Sequence, residues 1–186
     1  MIFQLKVTLE GAKPPIWRRL EVEPDTLLSD LHKIIQTAMG WTNSHLHQFD
    51  VNRRLYAPPS EYDDYSDDYT GLKIHDFFLR KGDKLRYEYD FGDSWSHLIL
   101  LEEVKEKEAD VYYPRCTKGK RACPPEDCGG IWGYMELVEV MKKKKGARYQ
   151  EMKEWLGGDL DPEAFDLEEI NEGLKEDNFG VFDYGF

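Results

Sequence analysis

Two stretches that alternate apolar and polar side chains, followed at once by one with a three-to-four spacing, fix the opening of this fold. "IFQLKVTL" (2–9) puts Phe3, Leu5, Val7 and Leu9 on one face, and "IWRRLEV" (16–22) repeats the alternation with Ile16, Leu20 and Val22. Gly11 to Pro15 lies between them, so the two runs read as a hairpin. In "PDTLLSDLHKIIQTAMG" (24–40) the period changes: Leu27, Leu28, Leu31, Ile34, Ile35 and Ala38 form one stripe, with Asp25 or Thr26 as N-cap and Gly40 as the stop. A helix with one apolar stripe must bury it, and the apolar face of the hairpin is the nearest surface.

Further strands are expected from "HLHQFDV" (45–51), from "KLRYEYDF" (84–91), with Leu85, Tyr87, Tyr89 and Phe91 on one side, and from "SHLILLEEV" (96–104). The last is apolar on both faces, as a central strand would be. The order strand, strand, helix, strand, strand is that of an α+β fold: a β-grasp-like mixed sheet with one crossing helix over residues 1–110. Beyond residue 110, "YMELVEVMKKKK" (134–145), "RYQEMKEWLGG" (148–158) and "DPEAFDLEEINEGLK" (161–175) read as helices, the last starting at Pro162 after Asp161, with Asp166 and Glu169 as a second cap pair. Residues 111–186 are therefore a Cys/Pro/Gly loop and a C-terminal helical extension, packed on the sheet as one compact unit. With 40% hydrophobic and 13% aromatic residues, 186 residues suffice for a core that needs no metal to hold it.

Charge narrows the partners. The net −12 is concentrated in residues 60–69, with five acids and no base, and in residues 151–186, with twelve acids against two bases. Phosphate binding needs clustered Lys and Arg, so nucleic acid is an unfavourable partner for most of this surface. The exception is residues 111–150, with nine bases against four acids, where Lys142, Lys143, Lys144, Lys145 and Arg148 are the only candidate nucleic-acid contacts. Lysines at the end of a helix also suit its C-terminal dipole, and that reading is preferred. No apolar run approaches the roughly 18 residues of a membrane span, and the N-terminus alternates instead of forming a leader, so no membrane and a cytoplasmic location are expected.

All three cysteines fall within "CTKGKRACPPEDCGGIWGY" (116–134), at C-x6-C-x4-C. Zinc sites usually pair ligands at C-x2-C or H-x3-H spacing, and neither gap here is of that kind. If Cys116, Cys123 and Cys128 held zinc, the fourth ligand would come from His97 or Asp93. The alternatives are a Cys123–Cys128 or Cys116–Cys123 disulfide, or free thiols in a stiff Pro-Pro, Gly-Gly turn; the free-thiol turn is preferred, so no cofactor is expected. "YDFGDSWSH" (89–97) reads first as a hairpin turn in which Gly92 takes a positive φ, Asp90 and Asp93 hold backbone amides, and Trp95 covers the core. It reads alternatively as a site where Asp90, Asp93 and His97 converge to hold a divalent cation or to act as acid and base. His45 and His47, two apart, share one strand face and read as core or edge histidines. The acidic "YDDYSDD" loop lacks the glycine and glutamate of an EF-hand and reads as a mobile, solvated segment. No nucleophile elbow, dinucleotide fingerprint or phosphate loop is present.

Taken together, "PPIWRRLEV", "TLLSDLHKIIQTAMGW" with "HLHQF", "YDFGDSWSH", "RACPPEDCGGIWGY" and "DPEAFDLEEIN" resemble the plasmid pRiA4b ORF-3-like family over nearly the whole chain. The resemblance implies association with plasmids and other mobile elements, and carries over no catalytic residues. The leading expectation is a binding or adaptor module, not an enzyme, for an unknown protein or small-molecule ligand. Its surface would form where "DFGDSWSH" meets "CPPEDCGG", from Asp90, Asp93, Trp95, His97, Glu126, Asp127, Trp132 and Tyr134. The alternatives are a metal-dependent hydrolase or nuclease using Asp90, Asp93 and His97, and an accessory protein in plasmid or transposon DNA transactions.

Overall fold

The computed structural model of the protein describes residues 1–61 and 64–182. Strands β1 (Ile2–Leu9) and β2 (Trp17–Val22) pair antiparallel, with Leu5 opposite Leu20, as the alternation predicts. Helix α1 (Leu28–Met39) buries Leu28, Leu31, Ile34, Ile35 and Ala38 against the face carrying Phe3, Leu5, Val7 and Leu9. Each large side chain buried there contributes roughly 2 kcal/mol. Neither Asp25 nor Thr26 caps the helix. Leu27 holds that position without a side-chain bond, and the first orphan amide, that of Leu28, donates to Leu72 O at 2.9 Å, so a neighbouring segment replaces the expected cap. Gly40 ends the helix at φ 103°, as expected.

Six more strands follow: β3 (His47–Val51), β4 (Arg54–Ala57), β5 (Asp67–Asp68), β6 (Lys84–Tyr89), β7 (Trp95–Lys105) and β8 (Arg115–Lys120). They form one sheet in the order β5-β4-β3-β6-β7-β1-β2-β8. Every neighbouring pair is antiparallel except β4 with β5. The class is α+β, and the sheet is wider than the β-grasp-like unit expected from the sequence. β7 is central, but only alternate residues are enclosed. Leu98 and Leu100 lie half-buried on the outer face, beside long charged chains such as the Arg19–Glu102 pair at 2.6 Å and the Glu21–Arg115 pair at 2.6 Å.

Residues beyond 110 contribute more than helices. β8, whose "RCTKGK" shows no apolar alternation, extends the sheet beside β2. Helices α2 (Gly130–Lys143), α3 (Ala147–Leu156) and α4 (Leu167–Gly173) then follow. The last starts five residues later than Pro162 would place it, because Asp166 accepts from the amides of Glu168 and Glu169 at 2.9 and 3.0 Å, while Asp161 caps only a local turn. Leu137, Met141 and Tyr149 make a small second core between α2 and α3. Of the acidic loop, Tyr62 and Asp63 lie outside the described residues, while Asp67 and Asp68 form β5 and Arg54 pairs with Asp67. Among the described residues no helix is long and apolar enough to cross a membrane.

Candidate functional site

Three loops meet beyond the end of α1. Gly40 turns the chain so that Trp41 packs against Tyr89 and Trp95, with ring centroids 5.1 and 5.8 Å away. Its indole N–H donates to Pro124 O at 3.0 Å, tying the loop to the Pro-Pro segment. Glu126 accepts from Thr42 Oγ1 and from the Tyr89 hydroxyl, both at 2.5 Å, and burial together with this carboxylate pushes the Tyr89 phenol well up. Asp93 Oδ2 accepts from the Gly129 amide at 3.2 Å, at the N-terminal end of α2, where the dipole favours an anion. Gly130 lies against the same turn: a Cβ there would sit 2.5 Å from Asp93 O, so only glycine admits this approach. The aspartate-bearing turn and the Pro-Gly loop thus form one surface.

Within it, His45 Nε2 lies 3.4 Å from Asp127 Oδ1 and 3.8 Å from Asp90 Oδ2. These three ligand atoms lie within 4.8 Å of one another. Asp90, at φ 58°, also accepts from the amides of Gly92 (2.9 Å) and Asp93 (3.4 Å) through Oδ1. The turn is therefore held as expected, but Asp90 and Ser94 take the positive φ, not Gly92.

Several predicted members are elsewhere. His97 does not converge with Asp90 and Asp93. It points into the core beside Trp41 and Tyr87, because the alternation of β7 turns Trp95, His97 and Ile99 inward together. Burial outweighs the backbone groups of Tyr87 and Trp95 and pushes its imidazole down to about 4. Trp95 and Tyr134 are buried too and present no surface to a guest, whereas Trp132 is 80% exposed. The cysteines are unpaired: Cys116 is buried in β8 and donates weakly to Lys118 O at 3.5 Å, and burial pushes its thiol up to about 11 and that of Cys128 up to about 12. Among the described residues no cysteine joins the group of close ligand atoms. Lys142 and Lys143 occupy the last turn of α2 and Lys144 its cap, with Lys145 following; Lys142 pairs with Glu139 at 2.7 Å and Arg148 with Glu151 at 3.0 Å.

A cleft of about 930 Å³ opens beside His45. On its lining His32 and His47 stack with centroids 3.4 Å apart and planes 2° from parallel. His32 Nε2 reaches Asn43 Oδ1 at 2.7 Å, its Nδ1 reaches the Tyr87 hydroxyl at 2.8 Å, and His47 Nε2 reaches the Tyr69 hydroxyl at 2.8 Å. Burial pushes His32 down to about 4 and His47 well below its ordinary value, so the stacked pair is neutral. Three exposed apolar side chains, Leu46 (55%), Tyr65 (91%) and Phe91 (49%), line the same cleft. A smaller hollow of about 240 Å³ between α2 and α3 includes Asp127 and Cys128. The cleft was not foreseen. The alternation places Phe91 on one side with Leu85, Tyr87 and Tyr89, but β6 ends at Tyr89 and the turn frees it; β3 begins only at His47, which frees His45 from the strand alternation.

Residues 1–169, which include all of these loops, match the family described as plasmid pRiA4b ORF-3-like protein. The chain belongs to this family. A relative of this pRiA4b ORF-3-like chain is the uncharacterized protein y4hQ of Sinorhizobium fredii (strain NBRC 101917 / NGR234), 36% identical over 180 residues that span 94% of this chain and 91% of that one. The crystal structure of MM3350 from Methanosarcina mazei Go1, a protein of unknown function, superposes with a TM-score of 0.82 at 39% identity, covering 90% of this chain and 96% of that chain. This pRiA4b ORF-3-like chain therefore shares its fold with MM3350.

Proposed function

We propose that the protein is a binding module whose cleft takes a small molecule with a planar aromatic or apolar body and a polar end. The observation that carries this reading is the gathering of Leu46, Tyr65 and Phe91, all exposed, around one concave site lined by the stacked His32 and His47. Soluble domains rarely expose such groups together unless something covers them, and ligand sites combine apolar walls with a few fixed polar groups. Lys33, Asn43 and His45 supply the polar end. The β-grasp-like reading of the hairpin and α1, the cytoplasmic location suggested by three unpaired thiols and the link to mobile elements are compatible with such a module.

The test is a fragment screen followed by amide shifts in two-dimensional NMR. Aromatic fragments are expected to move His45, Leu46, Gln48 and Phe91, and Leu55→Trp, which narrows the cleft, is expected to weaken them at least about tenfold, or 1.4 kcal/mol. Fragments that bind only elsewhere, or bind the Leu55→Trp variant equally well, would contradict the reading.

A further inference from the structure

We propose that His45, Asp90 and Asp127 form a binding site for a divalent transition-metal ion, giving it one imidazole nitrogen and two carboxylate oxygens. The three residues come from the loop after α1, the turn after β6 and the loop before α2. What holds these segments together is a separate set of contacts: Trp41 with Pro124, Tyr89 and Thr42 with Glu126, and Asp93 with Gly129. The ligand atoms are therefore positioned by groups that are not themselves ligands, as preorganised metal sites require.

The spacing is that of ligands, not of a hydrogen-bonded pair. Donors about 2.1 Å from a tetrahedral ion stand about 3.4 Å apart. His45 Nε2 lies 3.4 and 3.8 Å from the two carboxylate oxygens and makes a well-formed hydrogen bond to neither. The Asp90 side chain is nine-tenths enclosed, with Oδ1 committed to two amides and Oδ2 turned toward the imidazole. The nearby cations are committed elsewhere: Arg148, which lines the hollow with Asp127, pairs with Glu151 at 3.0 Å, and Lys33, which lines the cleft with His45, donates to Asn178 Oδ1 at 2.6 Å. Asp90, Asp93, Glu126 and Asp127 are close together, and among the described residues their sole ion-pair partner is His45. Carboxylates without a lysine or arginine partner among the described residues favour an added positive charge.

The donor set decides the class of ion. An imidazole with two carboxylates suits zinc or manganese, whereas calcium prefers an all-oxygen shell. Three protein ligands leave further positions for water or a ligand oxygen, the arrangement of sites that do more than brace a fold. His45 also lines the larger cleft and Asp127 the smaller hollow, so the ion would stand between the two. Metal binding does not depend on the cleft's organic guest, and its failure would leave the cleft reading intact.

The experiment is calorimetric titration of chelator-stripped protein with zinc chloride, with variants checked for native unfolding transitions. One ion per chain is expected. His45→Gln and Asp127→Asn are each expected to weaken binding by about 10- to 100-fold or more, while Cys128→Ser leaves it unchanged. In parallel, substoichiometric manganese chloride should broaden the wild-type amides of residues 45–46, 90–92 and 126–128 before any others. The proposal is overturned by no saturable zinc binding, by binding that survives both ligand substitutions, by binding lost only in Cys128→Ser, or by manganese broadening centred elsewhere.

Discussion

Four of the five histidines fall into two opposite settings. His32, His47 and His97 are enclosed, with depressed pKa values, while His45, a few ångströms of chain away from His47, stands between two carboxylates at an open corner. His32 and His47 replace water with Tyr87, Asn43 and Tyr69 hydrogen bonds, His97 is enclosed by aromatic rings, and none of the three can accept charge without disturbing the core. The corner imidazole instead packs edge-on against the Tyr89 ring, with centroids 5.8 Å apart, and turns Nε2 toward Asp90 and Asp127. One residue type thus builds structure in one region and a ligand set in the other, and the difference is set by where β3 begins.

The largest effect expected from this contrast is on stability against pH. Well above pH 6.5 both native and unfolded chains hold the interior imidazoles neutral. As pH falls from 6.5 toward 4, the unfolded chain takes up protons that the native core refuses, so stability falls. The slope approaches about 1.4 kcal/mol per pH unit for each of His32 and His97, with His47 acting in the same direction. Urea unfolding at pH 7, 6 and 5 measures it, and a flat profile would erase the distinction between the two regions.

Next in size is Gly133→Ala. A Cβ there would meet Cys128 O at 1.9 Å, so the loop carrying Asp127 must shift, at a cost of about 3 kcal/mol in urea unfolding. His32→Ala should cost about 2 kcal/mol, because Tyr87 and Asn43 lose a buried partner. His45→Gln should change stability by less than about 0.5 kcal/mol, and a comparable loss in both variants would collapse the comparison. The smallest effect concerns the thiols. With Cys116 near 11 and Cys128 near 12, native protein at pH 8 should react slowly with a thiol reagent and quickly once unfolded.

Much of the frame was legible from the sequence. The change of period at Asp25, the alternation in β6 and β7, and Gly40 as a stop all act through local physics that a sequence carries. So did the meeting of the aspartate turn with the Pro-Gly loop, since both segments bear turn-forming residues between regular elements. The membership of the site was legible only in part: Asp90 and Asp127 stand among the surface residues expected from the sequence, while His45 reads there as a core or edge histidine. His97 looks like a neighbour of Asp90 and Asp93 along the chain, but strand alternation buries it, while His45 and Asp127 are 82 residues apart and meet only through the packing of Trp41 and Glu126. β8 escaped notice because an edge strand with one polar face shows little apolar periodicity.

Side-chain nitrogen shifts of the histidines, followed during a zinc titration at pH 7, test the contrast most directly. His45 Nε2 is expected to move to saturation at about one equivalent while His32, His47 and His97 stay in place. Movement of the interior imidazoles, or a His45 signal that does not respond, would contradict it.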